Sequence, residues 1–533
     1  MKKISYIKIV VMLFILVCLW SCGANKKENS DVVDGLIINN TEESSIKLGI
    51  SNLDTMNPIF TKSNSVYDSM QLVFEPLYTF DEGLNPIAIL AESTTSSADG
   101  FSYTIKTKSG IFWHDGTPFS AWDVVHTINL IMNNDTQFTD SFDCVLSVEG
   151  IEQNTFRINL KRPVPDILSL LTFPIVKNGV GVVENENYIP VGTGPYSYSG
   201  KETTDEISLL ISQNWRGEKP SVKKVNLKVL EDEKALIEAF NASEIDAITS
   251  KVFDIKENTP RGELNTYDYV DQNMVFVGIN NQDSKLLGKN TRRAISYIIN
   301  KDDIITNELF SMAKKADIPI NPQYWYVPKA SDVRCDEEYI KELFSLDGFN
   351  KVDSKFIRLT EEVAEDGTNT TTKQENLEIE IIINDNNEER LRIAQKIGKC
   401  LNDFGIETTI TLLSFEDYNL RISQKNYQLF VGEVKMSKTM DLYSLLREEN
   451  NYFGYSSEVM NESLKSIGTA YAAGNQKEAY ENFSKVFIEE TPFIPLFFRK
   501  ESVVFEKGIS GTTYPDMFTA YKNPQNWYKS TKK

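Results

Sequence analysis

An α/β protein of more than one domain is what this sequence predicts, and three observations carry the prediction. A strand, a helix and a strand follow one another between Leu377 and Leu412, alternating apolar stretches are interspersed with helical ones along the rest of the chain, and about 490 ordered residues exceed a single core. In the first of these, Leu377, Ile379, Ile381 and Ile383 alternate with Glu378 and Glu380, the period of a strand. After the turn-rich Asn384-Asp385-Asn386-Asn387, the residues Leu391, Ala394, Ile397, Leu401 and Phe404 recur at three- and four-residue spacing, and Gly405 stands where a C-terminal cap belongs. Ile406, Thr408, Ile410 and Leu412 return to period two. The unit is β-α-β, its strands parallel and its crossover right-handed.

The remaining elements fall in order. Ile46, Leu48 and Ile50 alternate with polar residues, as do Phe101, Tyr103 and Ile105, and Phe156, Ile158 and Leu160, predicting half-buried strands. Asp115-Gly116 makes a turn, and Ser120 with Asp123 three residues on opens a helix carrying Val124, Val125, Ile128 and Ile131. A further helix, with Ala235, Leu236, Ala239 and Phe240 on one face, runs from Asp232 into Ser243-Glu244-Ile245-Asp246-Ala247. Residues 361–376 are rich in Thr, Asn and Glu without periodicity and predict a surface insertion loop. No tandem repeat supports a solenoid.

The amino terminus reads as an export signal. Lys2, Lys3 and Lys8 precede an apolar run from Ile9 to Trp20 that is too short to span a bilayer comfortably. It ends Leu19-Trp20-Ser21-Cys22-Gly23, which is similar to a bacterial lipobox: small Ser21 admits the signal peptidase, and Cys22 takes a diacylglyceryl group and becomes the first residue. The alternative is an ordinary cysteine in an uncleaved anchor. From Ala24 to Asn40 the chain is polar and predicts a flexible tether. Loss of Lys2, Lys3 and Lys8 takes the formal charge from -20 to -23, which excludes nucleic acid as a partner, since its recognition needs a basic footprint. With 41% hydrophobic residues and no second long apolar stretch, the chain reads as globular beyond its anchor. Cys144, Cys335 and Cys400 are widely spaced and odd in number, which suits buried free thiols better than disulfides or a metal site.

Several short motifs, in order, resemble the extracellular solute-binding proteins of family 5, the oligopeptide-, dipeptide- and nickel-binding lipoproteins of ABC importers. They are Phe74-Glu75-Pro76-Leu77-Tyr78, Leu90-Ala91-Glu92-Ser93, Asp99-Gly100, Trp113-His114-Asp115-Gly116-Thr117-Pro118-Phe119-Ser120-Ala121, Arg162-Pro163, Gly192-Thr193-Gly194-Pro195-Tyr196, Asn214-Trp215, Arg292-Arg293-Ala294 with Asn300-Lys301, and Thr491-Pro492-Phe493-Ile494-Pro495-Leu496. The resemblance implies a periplasmic-binding-protein-like (type II, Venus flytrap) fold, with two α/β lobes and an extra domain appended to lobe one. Residues 1–21 would be the signal peptide and 22–44 the lipidated tether. Lobe one would take 45–73, 192–280 and 488–533, the appended domain 74–191 and lobe two 281–487, with hinge crossings near Asn280 and Phe487. It implies no enzymatic activity and no cofactor. The implied partners are short peptides, the permease and ATPase subunits of an importer, and the membrane through the lipid anchor, with the chain acting as a monomer on the extracytoplasmic face of the cell membrane.

In peptide-binding members, the resemblance implies, a side-chain carboxylate in a lobe-two stretch patterned like W-x-x-D-Y-x-D-P meets the peptide's amino group. Here that stretch is Tyr427 to Asp441; the tryptophan is missing, and Lys438 falls close to where an aspartate is expected. Glu433 or Asp441 could substitute, Lys435 or Lys438 could instead hold a carboxylate, or all four are solvated loop charges. Asn57, after Asp54-Thr55-Met56, and Asn280-Asn281 are further candidates at the cleft edge. Trp113, His114 and Asp115 read as a strand-to-helix turn, Gly192 to Pro195 as a turn lacking the Lys-Ser/Thr of a phosphate loop, and Arg292 and Arg293 as a solvated face. The alternative ligand is a non-peptide solute, a metal chelate or a sugar; nickel held by histidine is disfavoured because the chain's 2 histidines, His114 and His126, both fall in the appended domain. A secreted hydrolase is the rival from another class, but no H-E-x-x-H or G-x-S-x-G motif is present.

Overall fold

The computed structural model describes residues 32–33, 36–37, 45–182, 187–249, 264–328, 336–363, 370–447, 451–511 and 514–530. The expected signal peptide, Cys22 and Cys335 lie outside them; within the expected tether, Val32–Val33 pairs with Leu36–Ile37. Among the described residues no helix is long and apolar enough to cross a membrane.

An 11-stranded sheet forms the spine. Its strands run in the order Tyr196–Thr203, Glu206–Ile211, Lys224–Leu230, Ser45–Ser51, Ala247–Thr249, Phe493–Glu506, Leu264–Ile279, Leu429–Lys435, Glu378–Asn384 and Glu407–Leu413, with Ala313–Lys315 added beside Phe493–Glu506. Two long strands in the middle, Leu264–Ile279 and Phe493–Glu506, are antiparallel from Leu264 opposite Glu506 to Gly278 opposite Phe493. Their register shifts twice, where Val270 faces Lys500 but Met274 faces Phe498, and where Val275 faces Phe497 but Phe276 faces Pro495; such bulges bend the strands locally. To one side, Ser45–Ser51 lies parallel to Lys224–Leu230; to the other, Glu378–Asn384 lies parallel to Glu407–Leu413 and Leu429–Lys435.

The β-α-β unit forms as its spacing requires. Asn387 caps helix Glu388–Phe404 by accepting from the Arg390 N–H, and Gly405 ends it at φ 108°, a conformation that favours glycine. Ile379, Ile381, Ile383, Ile393, Ile397 and Leu401 join one core, while Ile382 and Phe430 point the other way into a second core with Phe276, Phe453 and Phe493. This part of the sheet is covered on both faces, which is why Ile381-Ile382-Ile383 is unbroken by a polar residue.

A separate antiparallel sheet orders Ala91–Ser96, Ser102–Thr107, Thr155–Leu160 and Val145–Glu152, backed by helix Ala121–Asn133. The capping box is present: the Asp123 carboxylate accepts from the Ser120 N–H at 2.7 Å.

Two expectations are corrected. Most of 361–376 is not a loop: Lys355–Val363 pairs with Thr370–Asn376 in a hairpin, Arg358 gripping Glu375 at 2.5 Å across it. No alternation announced the hairpin because its residues are mostly polar, so no apolar face marks the period. Arg292 is not on a solvated face. It is 4% exposed, and its guanidinium donates to the carbonyls of Leu286 (3.0 Å), Leu287 (2.7 Å), Glu490 (2.6 Å) and Thr491 (3.0 Å). These carbonyls come from the approach to its own helix and from the end of helix Gln476–Glu490, whose last groups need donors.

Candidate ligand-binding interface

The motif residues build the frame around the interface. His114 Nε2 donates to the Gly194 carbonyl (2.9 Å) and its Nδ1 accepts from the Gly192 N–H (3.2 Å), so the ring is held as a neutral tautomer; burial lowers its pKa. Gly194 N–H in turn donates to Val73 at 2.8 Å. A Cβ at Gly192 would sit 1.9 Å from the Val73 oxygen, so only glycine allows these backbones to approach. Trp113 is fully buried beneath this turn. His126 is likewise committed, its Nε2 lying 2.6 Å from the Val180 carbonyl.

Residues 74–191 meet residues 281–487 at several places, among them two polar contacts. In one, Arg162 Nε donates to Asp441 at 2.9 Å while its Nη1 reaches Asp143 at 3.2 Å, and its guanidinium lies over the Tyr443 ring at 5.0 Å. Burial works against the Arg162 charge, and Asp441 and Asp143 more than offset it, leaving its pKa raised. In the other, buried Asp166 caps helix Ile167–Leu170, accepting from the Ser169 N–H (3.1 Å) and hydroxyl (2.5 Å). The same hydroxyl lies 3.2 Å from that of Tyr324, and Tyr324, Tyr326 and Tyr480 stack with centroids 5.0 and 4.3 Å apart. Burial pushes the Asp166 carboxyl up.

Lys438 joins three segments. Its Nζ lies 5.0 Å from the centroid of Phe138 and 5.5 Å from that of Phe518, rings contributed by 74–191 and by the carboxyl-terminal segment. The turn around Phe518 is tied to the helix Asn64–Met70 and the residue after it: Gln71 donates to the Phe518 carbonyl (2.9 Å) and accepts from Ala520 (3.2 Å). Phe518 itself stacks on Phe80 at 5.0 Å.

The other candidates are placed elsewhere. Glu433 is gripped by Arg499 at 2.6 and 3.0 Å, with Glu389 on the same guanidinium. Lys435 is exposed at the end of its strand. Asn280 donates to the Lys425 and Tyr427 carbonyls, and Asn281 to those of Ile279, Phe453 and Pro492, so both amides pin loops. Asn57 is fully buried, its side-chain oxygen accepting from the Ile59 N–H. The structure thus gathers Lys438 and Asp441 at the interface and leaves Asn57, Asn280, Asn281, Glu433 and Lys435 apart from it. Phe138, Phe518 and Arg162, which complete it, were not singled out as site residues. Arg162-Pro163 carried a signal, as a motif just past the strand Thr155–Leu160; the two phenylalanines carried none.

Beside this interface lies a cavity of about 320 Å³, lined by Tyr67, Phe74, Ile89, Pro174, Trp215 and Phe518 among others, with no lining residue from 281–487. Its charged walls are satisfied within the chain. Glu75 is held by both Arg216 nitrogens at 2.7 and 2.8 Å, Asp81 by the turn through Gly83 and Asn85, and Lys522 by Asp516 and the Phe80 carbonyl.

Residues 85–448 match the model of the bacterial extracellular solute-binding proteins, family 5 Middle. Over 99% of this chain and 99% of its own length, the oligopeptide-binding protein AppA of Bacillus subtilis is 21% identical. The nickel-binding periplasmic protein of Escherichia coli is 23% identical over 52% of this chain and 55% of its own length. Among solved structures, the periplasmic murein tripeptide binding protein MppA, in an unliganded open form, superposes with a TM-score of 0.74 at 14% identity, covering 92% of this chain and 98% of that one.

Proposed function

This chain belongs to family 5 of the bacterial extracellular solute-binding proteins and is the non-enzymatic, extracytoplasmic substrate-binding component of an ABC transporter, and from that premise we propose that its solute is a short peptide. The observation that carries the reading is the junction at Lys438, where one ammonium group from 281–487 rests on aromatic rings from two other segments. A peptide offers a charged terminus for that ammonium and apolar side chains for the rings beside it. A nickel ion held by protein histidines fits less well, since both histidines are bound to backbone carbonyls.

We assign lobe one to 45–73, 192–280 and 488–533, lobe two to 281–487 and the appended domain to 74–191. In this assignment closure bends the chain at the two crossings between the lobes, near Asn280 and Phe487. A ligand touching both lobes binds the closed arrangement better than the open one, and roughly 5 kcal/mol of difference moves the population from mostly open to mostly closed. Of the charged candidates, Lys438 is the one we assign to the ligand, as partner of a peptide carboxylate. Cys22 carries the lipid anchor in this reading, so Cys22→Ser is expected to release the chain from the membrane fraction; retention would count against the anchor.

Native mass spectra of the chain purified from Gly23 onward, with fragmentation of what acid releases, test the solute. A ladder of masses fragmenting as short peptides is the expected result. A single chelate or sugar mass would overturn the peptide reading and leave the family assignment standing.

A further inference from the structure

The 320 Å³ cavity is at the small end of the roughly 300–1,000 Å³ that ligand pockets occupy, large enough for one bulky group and too small for a whole peptide. Its walls are mostly aromatic, aliphatic and proline side chains, and the charged groups Glu75, Asp81 and Lys522 all have partners within the chain. It therefore offers an incoming molecule contact with apolar surface and no spare countercharge at those three positions. Glu82, the other acid on its wall, is exposed at the rim.

The cavity also adjoins the junction described above. Phe518 is at once a cavity wall and one of the two rings beneath Lys438, and Tyr67, another wall, lies 6.0 Å from the second ring, Phe138. Phe518 is thus shared by the apolar space and the ammonium group, and Phe138 stands one ring further from the cavity. Both are tied down: Phe518 by its stack on Phe80 and by Gln71 at its backbone, Phe138 by packing against Phe173 at 6.4 Å.

We infer that this cavity is a side chamber of the ligand cleft that takes one bulky apolar side chain of the captured peptide, next to the carboxylate end held at Lys438. The inference rests on the peptide reading and narrows it to peptides with a large apolar residue at or beside the carboxyl terminus. Burying a Phe or Leu side chain in such a space favours it over Gly by about tenfold or more in affinity.

The test is calorimetric titration of the folded chain with Ala-Ala-Phe, Ala-Ala-Leu and Ala-Ala-Gly, repeated on Ile89→Trp, which fills the chamber from a half-buried wall position. The expected result is a preference of about tenfold or more for Phe and Leu over Gly that shrinks to within about twofold in the variant. A thermal melt checks that the variant is folded; if it is not, Ile87→Trp, from the exposed rim, is read in its place. No preference in the unmodified chain, or a preference that survives in a folded filled variant, overturns the chamber while leaving peptide capture intact. If none of the three peptides binds and the native spectra carry a non-peptide mass, the peptide reading itself falls and takes the chamber with it.

Discussion

The turn at Gly192 to Pro195 and the stretch from Tyr427 to Asp441 hold the chain together in opposite ways. At the first, backbone meets backbone: Gly194 bonds to Val73, His114 bonds to both glycines, and a methyl group at Gly192 has no room. At the second, side chains from distant segments meet face to face, Lys438 over Phe138 and Phe518 and Asp441 against Arg162. A backbone-to-backbone joint tolerates few residue types, so it leaves a legible motif. A side-chain interface can be built from many combinations, and here it departs from the family's tryptophan-and-aspartate pattern. Motifs in this chain therefore locate the frame, and the side-chain interface lies where the motif fails.

That contrast can be broken by mutation. The largest effect is expected at the frame, where Arg292→Met leaves four carbonyls without their charged donor; a loss of about 3 kcal/mol or more is expected in urea unfolding, with ligand affinity of the folded protein unchanged. A loss under about 1 kcal/mol would mean water replaces the guanidinium and the joint is not structural. Gly192→Ala should cost about 1–3 kcal/mol, because the Val73 carbonyl cannot withdraw without breaking its bond to Gly194.

Smaller effects are expected at the interface. Asp441→Asn removes one partner of a part-buried pair, and a change of about 0.5–1 kcal/mol is expected in ligand affinity rather than in unfolding, together with a weaker dependence of affinity on salt. An equal loss in unfolding would assign the pair to the frame. The smallest is a pH effect at the motif turn. Burial disfavours the Asp115 charge, but hydrogen bonds from Lys177 (2.5 Å) and Thr117 (2.6 Å) outweigh it and lower its pKa to about 2. Because the folded value lies below the ordinary carboxylate value of about 4, the contribution is complete above pH ~4 and is lost as pH falls toward 2. Asp115→Asn should flatten the acid limb of thermal stability over that window; an unchanged limb would mean other carboxylates set it.

Local patterns were legible because the groups that satisfy them are neighbours in the chain. The strands and helix of the β-α-β unit, the Ser120 capping box and the Gly405 cap are each marked by residues within a few positions of one another, so spacing alone located them. The hairpin of 355–376 was not legible, since its strands are built of mostly polar residues and nothing in one strand announces the other. Arg292 was misplaced for a related reason: two of the carbonyls it serves, from Glu490 and Thr491, come from nearly 200 residues later in the chain.

The sequence by itself determined the fold class, the family and the elements whose hydrogen bonds and apolar periods close locally, because those depend on short-range geometry that each residue type constrains directly. Only the tertiary structure decided which partners each charge meets. Glu433 and Lys438 lie five positions apart in one stretch, yet one is locked to Arg499 and the other is set on two aromatic rings. The physical reason is that a charge acts through whatever folding brings within a few ångströms of it, and those partners come from parts of the chain that no local pattern connects.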